Sequence, residues 1–582
     1  MKMTRILLLS LMLIPIGILN AQEKDLGTET VTVVRSYRPT VSEAYKIRPV
    51  PGINDSIVAR KMPIQYSIFS VPVASTFVPA KGQAATVDKT EREQLFNTYA
   101  SFGLGNYTNA LADFYTSLDY DRGKQLLDLG FNHFSSRGDI DETFLNTDFY
   151  NTDLDVTYAR REREWDWNLG AGVSHRKYNW YGLPEDISET DIPGSIDEAQ
   201  NYFMAELKGG VHLTNSFLKE GGVLIRGFWD AAGSGEQRIA LNGDLELPIT
   251  QETFTLGIHV DYVGGEFDNG PLTQLQSEPG ITYSFLQTGI QPGVVLLRDD
   301  LKLELAAKIV LGFDTENNET DFYIYPAVNA SYVLSEEMAI AYAGVEGGLV
   351  QNSYYDFSVQ NPFVSPTLMV MPTDRQYEAY LGIRGQLLPE LTYNLKGIYR
   401  AENFLPLFLL NPENDSRTDE KGYYYGNSFR VFYDDVKTLG LFAELELSVN
   451  RNFTLGVNAT VNDYSTETGN PAWNLPNLEA SLFMDYQIGS DWYFGASLFY
   501  VGEREDLASV TGVGIPPEAF PSQIRNLEGF FDANLHLGYH LNTRMTLFAR
   551  ASNLANNSYQ RWANFRVQGL QVLAGASYKF DL

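Results

Sequence analysis

From about residue 96 onward, apolar and polar residues alternate in stretches of about ten residues. In Phe453–Val461 every second residue is apolar and the residues between are Thr, Gly or Asn, and Phe531–Leu541 and Leu301–Leu311 repeat the alternation. Strands of soluble sandwiches average about five to six residues, whereas a tilted strand needs about 9–11 residues to cross a bilayer. The length and period of the pattern therefore predict transmembrane strands.

The connections between these stretches also alternate in length. Short polar turns such as Asp121–Lys124 and Asn542–Arg544 are separated by long loops such as Gln351–Arg375 and Ala401–Gly426. Placing every short turn on one side gives ten short turns and eleven outer connections, hence 22 antiparallel strands, provided that Phe429–Val449 forms a single strand. Counts of 20 or 24 strands remain open. The predicted fold is all-β, a transmembrane antiparallel β-barrel over residues 96–582.

The N-terminus has the pattern of a secretory signal peptide. Lys2 and Arg5 precede an apolar run, Ile6–Leu19, and a small residue follows at Ala21. This pattern predicts a signal peptide over residues 1–21. Residues 22–95 are then a short periplasmic or plug-like segment before the barrel.

Composition narrows the function classes. The chain has 73 acidic and 43 basic residues, a net charge of −30, which argues against a nucleic-acid partner. It has no Cys, which excludes disulfides and thiolate chemistry. Aromatic residues make up 13% of the chain. A group of them near the ends of one strand is predicted to belong to an aromatic girdle: Trp165, Trp167, Tyr178, Trp180 and Tyr181.

The sequence shows no catalytic or metal-binding pattern. It has no Gly-x-Ser-x-Gly elbow, no His-Glu-x-x-His and no phosphate-binding glycine loop. Acidic loops such as Asp314–Asp321 offer oxygen ligands for Ca²⁺ without EF-hand spacing, and a solvated surface loop is the favoured interpretation. We therefore expect a non-enzyme with no cofactor and no metal. The six His are scattered: His133, His175, His212, His259, His536 and His540.

The end of the chain resembles a known family. Ser552–Trp562, followed by Ala574–Phe580, is similar to the last turn and closing strand of TonB-dependent outer-membrane receptors, although Asp581 and Leu582 follow the aromatic residue. The resemblance implies a 22-stranded barrel in outer-membrane lipid of a Gram-negative bacterium. An amphipathic last strand is also the assembly signal of such barrels, and here its residues are Val572, Ala574, Ala576, Tyr578 and Phe580.

The resemblance extends to the mature N-terminus. The stretch Glu29–Val33 is similar to the TonB box of these receptors and consists of Glu29, Thr30, Val31, Thr32 and Val33. Such a segment adds as a strand to the edge of the periplasmic protein TonB. Pro39 limits the length of the extended stretch.

The segment between the box and the barrel is shorter than the family's plug domain, because Gln22–Leu95 contains only 74 residues. A barrel of this size leaves an aqueous channel unless something fills it. In this respect the chain resembles receptor-like barrels of Bacteroidetes. We expect an outer-membrane receptor-like protein that takes part in uptake of an unidentified solute. The alternative is a plug-deficient barrel acting as a passive pore, or as a scaffold whose lumen a periplasmic or surface partner closes.

Overall fold

The computed structural model describes residues 95–185, 196–249, 252–270, 272, 280–336, 338–413, 421–507 and 524–582. The predicted signal peptide and the TonB-box-like residues Glu29–Val33 lie outside the described residues.

Twenty-two strands form one closed antiparallel barrel, which confirms the predicted fold class and strand number. Each strand pairs with the next barrel strand in the chain, and the first pairs with the last. This closing pair, called the seam below, runs in register from Thr98 opposite Phe580 to Gly105 opposite Leu573. The barrel strands are β1 (Thr98–Gly105), β2 (Ala110–Asp119), β3 (Gln125–Ser136), β4 (Phe149–Arg161), β5 (Trp165–Asn179), β6 (Ala199–Leu213), β7 (Leu218–Asp230), β8 (Gly235–Ile249), β9 (Glu252–Phe267), β10 (Ile281–Arg298), β11 (Leu301–Asp314), β12 (Glu319–Ser335), β13 (Ala339–Val350), β14 (Thr373–Leu388), β15 (Leu391–Leu410), β16 (Phe429–Asn450), β17 (Phe453–Thr466), β18 (Leu478–Ile488), β19 (Trp492–Val501), β22 (Phe530–His540), β23 (Met545–Ser552) and β26 (Gln571–Phe580).

The remaining elements lie in the connections. Two small ribbons pair β20 (Arg504–Leu507) with β21 (Ile524–Leu527) and β24 (Gln560–Trp562) with β25 (Phe565–Arg566). A helix, α1 (Tyr354–Gln360), lies between β13 and β14, and a single 3₁₀ turn joins β1 to β2. No helix within the described ranges is long and apolar enough to cross a membrane.

Alternation along the strands places apolar side chains on the outside of the barrel. On β17, Val457 and Val461 are 41% and 50% exposed, and on β11, Leu305 and Leu311 are each 38% exposed. Large apolar side chains that remain exposed on every second residue form the outward apolar band that lipid contact requires.

The two ends of the barrel differ in their connections, as the sequence predicts. At one end ten connections contain between two and five residues, and at the other end eleven connections contain between four and 28 residues. β16 is a single strand, as the predicted strand number requires. The predicted loop Ala401–Gly426 begins too early, however, because β15 continues to Leu410 and pairs with the first residues of β16.

Candidate functional site

The buried core of the described chain lies at the long-loop end of the barrel. Its members come from the ends of strands that are far apart in the barrel and from connections between strands, and Trp180 and Tyr423 form a smaller buried group that packs on Phe363. We call these connection segments the loop cluster and define it as residues 180–185, 353–370, 421–428 and 560–566. The contacts below show that it crosses the lumen.

Helix α1 is too short to be stable alone, because nucleation of a helix is costly and is repaid only over many residues. Its first turn is capped: the Ser353 hydroxyl accepts a hydrogen bond from the Asp356 N–H at 3.1 Å. Phe357 and Tyr354 are fully buried against strand side chains. Tertiary packing therefore holds the helix in place.

Two carboxylates on the barrel wall fix the start of α1. Glu236, on β8, is 3% exposed and accepts hydrogen bonds from the backbone N–H groups of Tyr354 and Tyr355 and from the Tyr283 hydroxyl. Asp230, on β7, accepts the Tyr354 hydroxyl at 2.7 Å. The first N–H groups of a helix have no acceptor within the helix and favour a carboxylate. Glu236 of the barrel wall is that acceptor for α1.

Burial also changes the acidity of Tyr354 itself. Its ring is completely enclosed, and the loss of solvent raises its pKa well above the usual value for tyrosine, with the nearby Asp230 carboxylate acting in the same direction. Tyr354 thus remains a neutral hydrogen-bond donor to Asp230 at all physiological pH values.

The same segment is bonded to the far side of the barrel. Val364 forms a parallel bridge with Phe429, the first residue of β16, through hydrogen bonds from the Phe429 N–H to the Phe363 carbonyl and from the Ser365 N–H to the Phe429 carbonyl. Phe357 packs edge-on against Phe408 of β15. Strands β7 and β16 are nine positions apart in a 22-stranded ring, so a segment bonded to both spans the lumen.

A third connection completes the closure. Phe565, in the ribbon before the last strand, stacks on Phe363 with ring centroids 3.8 Å apart and also contacts Tyr181. Trp562 of the same ribbon packs on Phe408 and Phe429. Aromatic rings from three connections and from the ends of β15 and β16 thus form one packed layer at the long-loop end.

A second buried group lies beside the loop cluster, around the ribbon β20–β21. Asp506 is completely buried and accepts hydrogen bonds from the N–H groups of Leu410 and Leu507 and from the Asn474 amide. Burial raises the pKa of this carboxyl to about 6, although all three hydrogen bonds oppose the shift.

Arginine–carboxylate pairs lie on the lumen wall next to α1. Arg226 of β7 pairs with Glu206 at 3.2 Å, and Arg238 of β8 pairs with Asp261 at 2.7 Å. Asp356 of the helix reaches both guanidinium groups, Arg238 at 3.1 Å and Arg226 at 3.9 Å. The wall therefore contacts α1 through charge as well as through packing.

The C-terminal residues that the sequence predicts as an assembly signal lie together on one strand. Val572, Ala574, Ala576, Tyr578 and Phe580 all lie on β26, which closes the barrel. Their role as an assembly signal stays a prediction, as does the role of the N-terminal box.

Three of the predicted girdle residues lie elsewhere. Trp180 is 3% exposed and packs edge-on against Tyr423, Tyr181 contacts Phe565, and Tyr178 contacts Phe363. The girdle prediction is therefore wrong for these three, because they lie where the chain leaves β5 and turns into the loop cluster. Trp165, at the short-turn end, is 42% exposed.

Sequence reasoning also missed the residues that build the loop cluster. Glu236 and Tyr354 are 118 positions apart in the chain, and no periodic pattern connects them. The one local signal was Ser353 followed three residues later by Asp356, which is the pattern of a helix N-terminus.

No family model and no curated protein matches the chain. Solved structures do. The FrpB iron transporter from Neisseria meningitidis matches with 9% identity and a TM-score of 0.63, over 84% of this chain and 82% of that chain. The ferric-catecholate import receptor Fiu from Escherichia coli matches with 11% identity and a TM-score of 0.58, over 84% and 82%. The ferripyoverdine receptor of the outer membrane of Pseudomonas aeruginosa matches with 13% identity and a TM-score of 0.56, over 83% and 72%.

At these identities the likeness shows a shared fold. The chain therefore has the barrel fold of outer-membrane receptors and transporters. By name, these neighbours are an iron transporter, a ferric-catecholate import receptor and a ferripyoverdine receptor.

Proposed function

We propose that this protein is an outer-membrane receptor that takes part in the uptake of a solute across the outer membrane of a Gram-negative bacterium. The observation that carries the proposal is the closed 22-stranded barrel whose long-loop end is crossed by a packed loop cluster. A barrel with this fold and a covered lumen suits selective admission of a bound solute. The solved structures with this fold include an iron transporter, a ferric-catecholate import receptor and a ferripyoverdine receptor, and they support the same class of function.

The loop cluster argues against the alternative of a permanently open pore. A passive pore needs a continuous aqueous path, whereas residues 353–370 are bonded to opposite walls and packed by aromatic rings. For the same reason a separate partner protein is not needed to close this end of the lumen.

We further propose that Glu29–Val33 is a TonB contact, with the N-terminus in the periplasm, and that residues 22–95 are a reduced plug of the kind found in Bacteroidetes receptor-like barrels. An alternating β-branched segment suits addition to a sheet edge, where main-chain hydrogen bonds supply the affinity. The position of the segment just after the predicted signal peptide supports this assignment.

Deletion of residues 28–34 tests the energised mechanism. Uptake by cells that depend on this protein should fall to the level of a null strain, and site-specific crosslinking to TonB should disappear. A matched deletion of residues 80–86, outside the box-like stretch, should leave the crosslinking to TonB intact. Unchanged uptake after the 28–34 deletion would exclude the TonB mechanism.

A further inference from the structure

The wall next to helix α1 has the composition of a ligand site that the helix itself occupies. Arg226 and Arg238 lie on the lumen face of β7 and β8, and each already has one carboxylate partner on the wall. Asp356 adds a third carboxylate from a connection segment, and its side chain is 39% exposed. Because Asp356 lies in a connection segment and is accessible to solvent, an external anion can take the place of its carboxylate.

The neighbouring residue of the helix completes the arrangement. The Arg226 guanidinium carbon lies 4.1 Å from the centroid of the Tyr355 ring, and that of Arg176 lies 5.9 Å from it. Guanidinium groups favour the faces of aromatic rings. Among the described residues Arg176 has no ion pair, and the Tyr355 ring is within cation–π distance of its guanidinium group. The helix thus presents a carboxylate and a ring side by side to three arginines.

We propose that Arg176, Arg226 and Arg238 form the binding site for an aromatic compound that carries an oxyanion. Helix α1 mimics this solute and occupies its site. The solute places its anionic group where Asp356 lies and its ring where Tyr355 lies. Binding then requires that the helix leave the wall, which couples recognition of the solute to opening of the loop cluster. The inference rests on the proposed uptake function and names the substrate class of that site.

The distances from Asp356 indicate which arginine contributes most to binding of the anion. The carboxylate of Asp356 lies at hydrogen-bonding distance from Arg238 and slightly beyond it from Arg226. Arg238 should therefore dominate recognition of the anion. Stacking on Arg226 and Arg176 should decide between aromatic and non-aromatic acids.

The test measures binding of benzoate to the purified full-length protein by isothermal titration calorimetry. Because Asp356 competes for the site, Asp356→Asn should bind benzoate at least tenfold more tightly than the wild type. Adding Arg238→Gln to that variant should weaken binding at least tenfold. Cyclohexanecarboxylate, whose ring is not aromatic, and benzylamine, which reverses the charge, should both bind at least tenfold more weakly than benzoate.

Two control variants separate competition from loosening of the helix. Ser353→Ala removes the helix cap and the hydrogen bond that the Ser353 hydroxyl donates to the Asp356 carboxylate, but it keeps that carboxylate, so it should raise affinity far less than Asp356→Asn. Glu220→Gln removes a carboxylate whose side chain is 64% exposed and should change nothing.

The proposal is overturned if Asp356→Asn binds benzoate no better than the wild type, if Ser353→Ala has an equal effect, or if Arg238→Gln leaves binding unchanged. Equal binding of cyclohexanecarboxylate would remove the aromatic part of the substrate class. These measurements need no TonB, so they can fail while deletion of residues 28–34 still abolishes uptake, and the reverse also holds.

Discussion

At the scale of single residues, the long-loop end depends on buried carboxylates that are satisfied by backbone N–H groups. Glu236 and Asp506 are each enclosed and each accept three hydrogen bonds from separate parts of the chain. Burying a charge is costly unless such donors surround it. These positions therefore specify one arrangement of the connections, and they are sensitive to protonation and substitution.

Asp506 should make the packing of the ribbon β20–β21 depend on pH. Its pKa in the folded protein, about 6, is above the ordinary value for Asp, so its contribution to stability is full below about pH 4 and is lost as the pH rises through about 6. Hydrogen exchange of β20, corrected for intrinsic rates, should show opening at least about tenfold more frequent near pH 7.5 than near pH 4.5.

In Asp506→Asn the pH difference should disappear, because the position no longer titrates. Glu505→Gln, on the exposed side of the same strand, should retain it. A pH dependence that persists unchanged in Asp506→Asn would assign it to another group.

At the scale of elements, the alternating pattern predicted the membrane-spanning parts of the strands but not the parts that extend into the long-loop end. The stretch Leu405–Leu410 is almost continuously apolar because both faces of β15 are buried there, Leu407 and Leu409 against one cluster and Phe408 and Leu410 against the other. A strand buried on both faces loses the period-two pattern. Helix α1 was not predicted from the sequence either, because seven residues are too few for a helical period to be recognised.

The attachment of α1 should fail when Glu236 becomes neutral. In Glu236→Gln the side-chain amide would face N–H donors, and the loss of charge-assisted hydrogen bonds should cost about 1–3 kcal/mol. Limited proteolysis within residues 353–370 should become faster in this variant, while the barrel strands stay protected. Glu220→Gln, an exposed carboxylate on β7, is the matched control. Unchanged cleavage in Glu236→Gln would show that the aromatic contacts alone hold the segment.

At the scale of the whole molecule, the barrel follows from the sequence because each strand repeats one rule, whereas the closure of the lumen does not. The loop cluster joins connections that come from β5, β13, β15 and β23, and each pairing is specific to a few side chains. Alternation and turn lengths carry no information about which connections meet. The solved structures share the barrel fold.

A covalent lock should show whether the loop cluster must move during uptake. The chain has no Cys, so Val364→Cys with Phe429→Cys introduces the only thiols, at a bridge pair whose spacing suits a disulfide. Oxidation should abolish uptake in cells, and reduction should restore it. The two single variants should be insensitive to oxidation. Normal uptake by the oxidised double variant would show that the solute enters without displacement of residues 353–370.

The unequal lengths of the strands have a consequence for the surrounding lipid. Next to the seam, β1 and β23 contain only eight residues each, whereas β15 and β16 contain 20 and 22. Eight residues tilted by about 40° rise only about 20 Å, less than the apolar band of about 25 Å that outer-membrane barrels normally present. Acyl chains beside the seam must compress or tilt to match it. The protein therefore thins the bilayer locally beside the seam, whereas the longer strands β15 and β16 extend beyond the apolar band.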